Sequence, residues 1–418
     1  MKKRKKHTGR IIVLSMIVVI AAILGIYSRF GGFGTGACAD TVEFSKYAAS
    51  VSELAVPNEV QIVALGEATH GNKEFQQLRL EVFQVLAEKY GVRAFALEGD
   101  FGGCETINRY IHGADGTAAE ALSDTGFAIY QTEEMQKLVE WMRDYNASAA
   151  QGDDLRFYGF DMEQRACSWR YLLEALQKAN IDTAEFEKMW DSEANTYAED
   201  YTAEQRAEII RAVKAQLPPD AAQAIHFADV LLQNIELGKY IDDAGELNAQ
   251  RDRMMAENTL WILQQEQARG NDRILISGHN NHIMRCQKAK TPVLGSLLAE
   301  NLGDGYFAIG TDFYKSVCNL PKPDTGKRIT HTFYSHDPLA KASKKCGFAV
   351  SFLDFSKVPE DSALAEYITN NISMGSLGES YSVLMNFVPR SYRVQRTPQK
   401  AYDAMIFAAK ATPIEIES

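Results

Sequence analysis

Cysteine is sparse in this chain. Six occur in 418 residues, none in Cys-x-x-Cys spacing and with an odd five beyond Cys38, so no disulfide scaffold is indicated. These five read mainly as small buried side chains. Two hydrolase signatures are also missing. The nearest approach to the serine elbow Gly-x-Ser-x-Gly, Gly378-Glu379-Ser380-Tyr381-Ser382, lacks the final glycine, and there is no His-Glu-x-x-His. Neither Cys104 nor Cys286 stands in a cysteine-hydrolase signature, so packing is favoured over a thiol nucleophile. Basic charge is in deficit: 44 Lys and Arg face 55 Asp and Glu, a net charge of −11. The first 39 residues hold seven of the basic residues and no acid, which leaves −18 on the remainder and makes nucleic acid an excluded partner. No low-complexity segment or internal repeat is evident.

The N-terminus carries what the rest lacks. Lys2, Lys3, Arg4, Lys5, Lys6 and Arg10 precede an uncharged apolar run from Ile11 to Tyr27, the pattern of an export signal. The run is short for a spanning helix, which needs roughly 20 residues, and long for a signal-peptide core of about 7–15. Cleavage and retention as an anchor both stay open. Ala37-Cys38-Ala39 offers a small-residue cleavage site before Asp40, and Cys38 is a poorly matched lipidation site. Residues 1–39 are therefore read as signal peptide or signal anchor plus a Gly-rich linker, and 40–418 as the body. The body is expected outside the cell, secreted or held at the membrane through the N-terminal segment alone.

In the body, strand-like apolar runs alternate with helical patterns. Val42–Leu54 reads as a helix and Val60–Leu65 as a strand, which exits in Leu65-Gly66-Glu67-Ala68-Thr69-His70-Gly71. The helix Lys73–Tyr90, with Phe75, Leu78, Val82, Val85 and Leu86 at helical spacing, leads to a strand Ala94–Leu97 exiting in Glu98-Gly99-Asp100. A strand-helix-strand unit of this kind predicts neighbouring parallel strands. Helices at Cys104–Ile111 and Glu133–Tyr145 precede a third strand, Leu155–Phe160, exiting in Asp161-Met162-Glu163. Residues 165–270 read as a helical insertion or cap without strands. A fourth strand, Arg273–Ser277, exits in Gly278-His279-Asn280-Asn281-His282; a fifth runs Tyr306–Gly310, with further β-like runs at Gly347–Phe352, Ser382–Phe387 and Ala404–Phe407. The fold class that follows is α/β, a mainly parallel central sheet flanked by helices with a helical insertion.

The strand exits gather Glu67, His70, Glu98, Asp100, Asp161, His279 and His282 on one sheet edge, where open α/β folds bind ligands. Histidine is the natural general base near neutral pH, and a carboxylate can fix its tautomer. His70 with Glu67 or Glu98 fits that role. His279 or His282 could donate to a carbonyl oxygen as charge develops. The same residues also suit a metal, since His70, Glu98, His279 and His282 form an ordinary ligand set for a divalent ion. That reading predicts a metal-dependent hydrolase or peptidase. A third is a non-catalytic surface protein binding haem or another ligand. His112, His226, His331 and His336 are read as structural.

Taken together, Leu65–Gly71, Phe95-Ala96-Leu97-Glu98-Gly99-Asp100 with Asn108–Gly113, Gly159-Phe160-Asp161, Arg251–Asn258, Gly278–His282, Ile309–Tyr314 and Tyr402–Met405 resemble, in order, the motifs of the erythromycin esterase family. The resemblance spans nearly the whole body. It implies hydrolysis of a macrolide lactone, an antibiotic-resistance activity, by water, with neither cofactor nor metal. By motif position His70 is the expected general base and Glu67 and Glu98 its carboxylate partners, with His279 and Arg251 near the substrate carbonyl. Arg251 is a residue the strand-exit argument does not find. Thr69, Asp100, Asp161 and His282 are assigned to binding a small ester or lactone substrate. The insertion before Arg251 contains no motif matched to macrolide binding.

Overall fold

The computed structural model describes residues 2–29, 37–288, 290–378, 380–386 and 391–417. They form an α/β fold with a mainly parallel central sheet flanked by helices. The chain divides into two compact units, a larger one of residues 55–66, 79–308 and 416–418 and a smaller one of 1–54, 67–78 and 309–415.

The larger unit contains β1 (Ile62–Glu67, its last residue in the smaller unit), β2 (Ala94–Asp100) and β3 (Arg156–Asp161). It also holds a two-stranded antiparallel ribbon of β4 (Trp190–Asp191) and β5 (Thr196–Tyr197), and then β6 (Ile274–His279). Its sheet order is β3-β2-β6-β1, with β2 parallel to both β3 and β6. The expectation that β1 and β2 are neighbours is thereby corrected. The crossover through the helix Lys73–Tyr90 skips one position, and β6, returning after the insertion, fills it; otherwise two strand edges would bury unpaired backbone groups.

β1, β2 and β6 are buried along their whole length, which is why they read as unbroken apolar runs. Helix Lys73–Tyr90 buries Phe75, Leu78, Val82, Phe83 and Leu86. Val85, expected inside, is only half-buried, and Phe83 takes its place against Phe95, centroids 5.6 Å apart, with Phe157 5.2 Å further on. Gly91, at φ 65°, ends this helix in the left-handed conformation that favours glycine. Strand β2 runs past its apolar stretch to Asp100, whose side chain caps a helix beginning at Phe101 rather than Cys104. Within residues 165–270 five helices, the longest Ala244–Ala268, accompany the β4–β5 ribbon. The ribbon corrects the expectation of no strand there: two-residue strands are too short to leave an alternating pattern in sequence.

The smaller unit contains β7 (Tyr306–Pro321, its first three residues in the larger unit), β8 (Arg328–Tyr334), β9 (Val350–Asp354), β10 (Ile372–Gly375), β11 (Arg393–Arg396) and β12 (Ala404–Ala411). β12 lies between β7, parallel, and β9, antiparallel; β8 folds back on β7, and β10 pairs with β11. Several expectations are corrected here. β7 does not stop at Gly310, because this glycine admits the Tyr402 ring, 2.7 Å from where a Cβ would stand, and pairing with β12 and β8 carries the strand on. The strand read from Gly347 starts at Val350, since Gly347, at φ 85°, still belongs to the end of the helix Pro338–Lys345. Val383–Asn386 closes into a 3-10 turn instead of a strand, Met385 N–H bonding Ser382 O; Phe387 lies outside the described residues. The helix read over Val42–Leu54 is Thr41–Tyr47 followed by a 3-10 turn at Val51–Glu53, divided where Ala49 bridges Phe352.

A helix in the smaller unit runs Lys2–Arg29 and lies against β8; from Ile12 to Leu24 its large apolar side chains are exposed. No helix among the described residues is long and apolar enough to cross a membrane. Of the Gly-rich linker, residues 30–36 lie outside the described residues.

One local device shapes the edge of the larger unit. The β2–β3 register shifts between Leu97 and Asp100, and a Cβ on Gly159 would stand 2.5 Å from Asp100 O and 2.6 Å from Gly99 O. Glycine is therefore needed for the bulge. Gly159→Ala should destabilise the fold by roughly 1–3 kcal/mol, as overpacking does, read as a lower urea midpoint. An unchanged midpoint would show that the bulge relaxes freely.

Candidate active site

In the larger unit, the exits of β2, β3 and β6 meet the long helix Ala244–Ala268. Glu98, at the exit of β2, is only 5 % exposed. Its Oε2 accepts the backbone N–H of His279 at 2.6 Å, and its Oε1 accepts Arg251 Nη2 at 3.2 Å. A Cβ on Gly278 would stand 2.8 Å from Glu98 Oε2, so the glycine before His279 makes room for this carboxylate. The phenol of Tyr130 donates to the Glu98 carbonyl at 2.8 Å.

Arg251 carries the balancing charge. Its Nη2 lies 2.5 Å from Asp161 Oδ2, its Nε 3.2 Å from both Asp161 oxygens, and Glu163 Oε2 is 3.4 Å away. Burial works against the guanidinium charge, but Asp161 and Glu98 outweigh it and hold the pKa well above its ordinary value. Asp161 also accepts the backbone N–H of Met162 at 2.7 Å. Burial pushes Glu163 up, opposed by Arg251.

The two histidines of β6 and its exit differ in state. His279 caps the short helix Asn280–Ile283, its Nδ1 accepting Asn281 N–H at 3.2 Å, so in the neutral ring the proton sits on Nε2. His282 Nδ1 lies 2.7 Å from Asp252 Oδ1, and its Nε2 3.5 Å from Glu98 Oε1. Burial opposes protonation of His282, but Glu98 and Asp252 outweigh it and raise the pKa above 6.5. Asp100 stands apart from this cluster in its bonding: its carboxylate turns to Gly103 N–H at 2.6 Å, and burial pushes it up to about 8. Burial also raises the Cys104 thiol well above its ordinary value, which leaves it a poor nucleophile.

In the smaller unit, Glu67 Oε1 lies 2.7 Å from His70 Nδ1. The turn that carries the pair is stapled on all sides. Thr69 is buried and its Oγ1 accepts Gly71 N–H at 3.1 Å; Ala68 O accepts Leu377 N–H; Gly71 O accepts Asn319 and Ile414 N–H. Asn72 Nδ2 bonds Val317 O and Thr412 O, each at 2.9 Å. A Cβ on Gly71 would stand 2.8 Å from Asn319 O, so only glycine fits. His70 is therefore held both by its acid and by its backbone.

Of the residues singled out in the sequence, Glu98, Asp161, Arg251, His279 and His282 are thus brought into one cluster in the larger unit. Glu67 and His70 are joined in the smaller, Thr69 serves the turn and Asp100 caps a helix. Sequence reasoning placed Glu163 at a strand exit and Asp252 in a motif without giving either a role, and passed over Tyr130 and Arg79. Arg79 is fully buried, donates to Ser277 Oγ at 3.0 Å and lies over the Tyr130 ring at 5.1 Å. It was findable, since it falls four residues after Phe75 and three before Val82, on the apolar face of its helix. Asp252 left no such mark; its partner is 30 residues away. Among the described residues no group of three or more His, Cys, Asp or Glu is disposed to hold a metal ion.

The raised pKa of His282 gives a signed prediction. A proton bound more tightly in the folded state stabilises it below the unfolded value of 6.5, and that contribution is lost as pH rises through the folded value. His282→Gln should therefore cost most stability below pH 6.5, with the gap to wild type narrowing at higher pH. Denaturant titrations across this range check it; a gap that widens with pH would contradict the assigned charge.

Four similarities bear on family and fold. Part of the chain, residues 87–411, matches the family model described as Erythromycin esterase; the match begins after the His70 turn. An "Erythromycin esterase type II" of Escherichia coli is 26 % identical over 365 residues, covering 72 % of this chain and 82 % of the relative. Two solved structures share the fold. A succinoglycan biosynthesis protein superposes with a TM-score of 0.74 at 19 % identity, covering 90 % of this chain and 98 % of its own. A mutant of the erythromycin esterase EreC in its open conformation gives 0.58 at 17 %, covering 86 % and 92 %. With its family model matched over well more than half its length, the chain belongs to the erythromycin esterase family of hydrolases.

Proposed function

We propose that this protein hydrolyses a carboxylic ester or lactone of a small molecule, a macrolide such as erythromycin, through water activated by His70. The observation that carries the reading is the 2.7 Å contact between Glu67 Oε1 and His70 Nδ1. A carboxylate at Nδ1 keeps the proton there and leaves Nε2 as a lone pair, the arrangement of a general base. Water gives its proton to Nε2 as its oxygen bonds the carbonyl carbon. The C–O bond to the alcohol then breaks, and the imidazolium returns the proton to the leaving alkoxide. Within the larger unit, His279, with Nε2–H as donor, and Arg251 are groups of the kind that can meet negative charge on an oxygen. Glu98 orients that group of donors. No cofactor enters this scheme. The macrolide is suggested by the family and by the name of the Escherichia coli relative.

Export is proposed alongside the reaction. Its support is the basic cluster Lys2–Arg10 followed by the uncharged run Ile11–Tyr27, and the exposure of the large apolar side chains from Ile12 to Leu24 in the N-terminal helix. A basic cluster followed by a run of exposed large apolar side chains suits a signal peptide or anchor.

Mass spectrometry of erythromycin after incubation with residues 40–418 should show a gain of one water. His70→Ala should abolish that gain, and Glu98→Gln should lower turnover about a hundredfold or more, with a lower melting temperature as well, because it takes one carboxylate out of the buried ion cluster. An unchanged mass withdraws the macrolide, and activity retained in His70→Ala removes the proposed base. Fractionation of expressing cells should find the body in the medium or at the membrane; full-length chain confined to the cytosol would defeat the export reading.

A further inference from the structure

The hydrogen-bond chain at the exit of β6 ends on a residue that the proposed reaction does not use. Asp252 follows Arg251 on the helix Ala244–Ala268, and is 4 % exposed. Its Oδ1 accepts two donors, the Nδ1–H of His282 at 2.7 Å and the backbone N–H of Leu294 at 2.9 Å. The second bond pins the carboxylate to the start of the helix Leu294–Leu302. A carboxylate anchored in this way cannot follow a rotating imidazole; the imidazole must follow it.

We propose that Asp252 is a positioning residue, which fixes the ring plane of His282 by accepting its Nδ1–H and so turns Nε2–H of the imidazolium toward Glu98 Oε1, 3.5 Å away. Through His282, Asp252 completes a continuous line from the helix Leu294–Leu302 to the carboxylate that Arg251 and the His279 N–H also hold. Glu98 then has its orientation set from three elements: Arg251 on the long helix, the backbone of β6, and His282 on the short helix after it. The charged groups around His282 agree with this direction. Glu98 from β2 and Asp252 from the long helix favour its charged form, while Arg251 opposes it; His279 faces it edge-on with centroids 6.4 Å apart.

The inference borrows the proposed hydrolysis only for its kinetic consequence, so its primary test needs no turnover. In protein labelled with 15N-histidine, His282 of the wild type should be Nδ1-protonated in its neutral form and should titrate above 6.5. In Asp252→Asn, which keeps the side-chain shape and an acceptor for Leu294, the titration midpoint should fall by about one unit, the effect of losing one adjacent carboxylate. The Nδ1 preference should weaken with it. On p-nitrophenyl acetate, Asp252→Asn should lower kcat at unchanged KM, and the loss should vanish in a His282→Gln background, because the residue acts through the imidazole. A neutral His282 protonated at Nε2 in wild type, or a midpoint unmoved in Asp252→Asn, overturns the proposal even if that variant folds poorly, since the first reading uses wild type alone. Correct titration shifts in a protein that turns over no ester would instead leave the positioning intact and withdraw the hydrolase chemistry.

Discussion

The pairing of one buried arginine with two buried carboxylates is what the edge of the larger unit depends on. Glu98 near the end of β2 and Asp161 at the end of the adjacent β3 need a cation beside them, since a lone buried charge costs several kcal/mol. Arg251 supplies it in the geometry only a guanidinium offers, Nε and Nη2 together on Asp161 and Nη2 also on Glu98. The pair adds little net stability over an apolar equivalent, by the general behaviour of buried ion pairs, but removing one member is expensive. Its value here is placement. The long helix of the insertion is docked against the strand exits by this contact, with Asn258 Nδ2 bonding Phe160 O as a second point.

Around that pair the close approaches of backbone decide what each acid can do. Gly278 lets the Glu98 carboxylate reach the His279 N–H, and Gly159 lets β2 bulge so that Glu98 and Asp100 diverge. The divergence separates two neighbouring acids into different states. Glu98 meets a guanidinium and an N–H, whereas Asp100, buried against one helix N-terminus, is pushed up to about 8. Tyr130 and Arg79 add contacts to β2 and β6, the phenol on the Glu98 carbonyl and the guanidinium on Ser277. The smaller unit uses another device for His70: a turn in which the carbonyls of Ala68 and Gly71 are engaged and glycine is forced at position 71.

The amino-acid sequence by itself determined the elements that depend on local pattern. Helix Lys73–Tyr90 has the bounds that its periodicity implies, and the buried strands show as apolar runs because both their faces are covered. The polar exits after them follow from the same rule, since a strand that stops being apolar has reached the sheet edge. Only the tertiary structure decided the order of those strands, the length of β7 and the partners of the exit residues. β6 entering between β1 and β2 pairs residues as distant as Phe95 and Leu275, a contact that no local pattern encodes. Asp252 and Arg251 are neighbours on one helix, yet one serves His282 and the other Asp161 and Glu98. Charge pairs made across the fold leave no periodic trace, because their energy comes from burial together, which does not exist until the chain is closed.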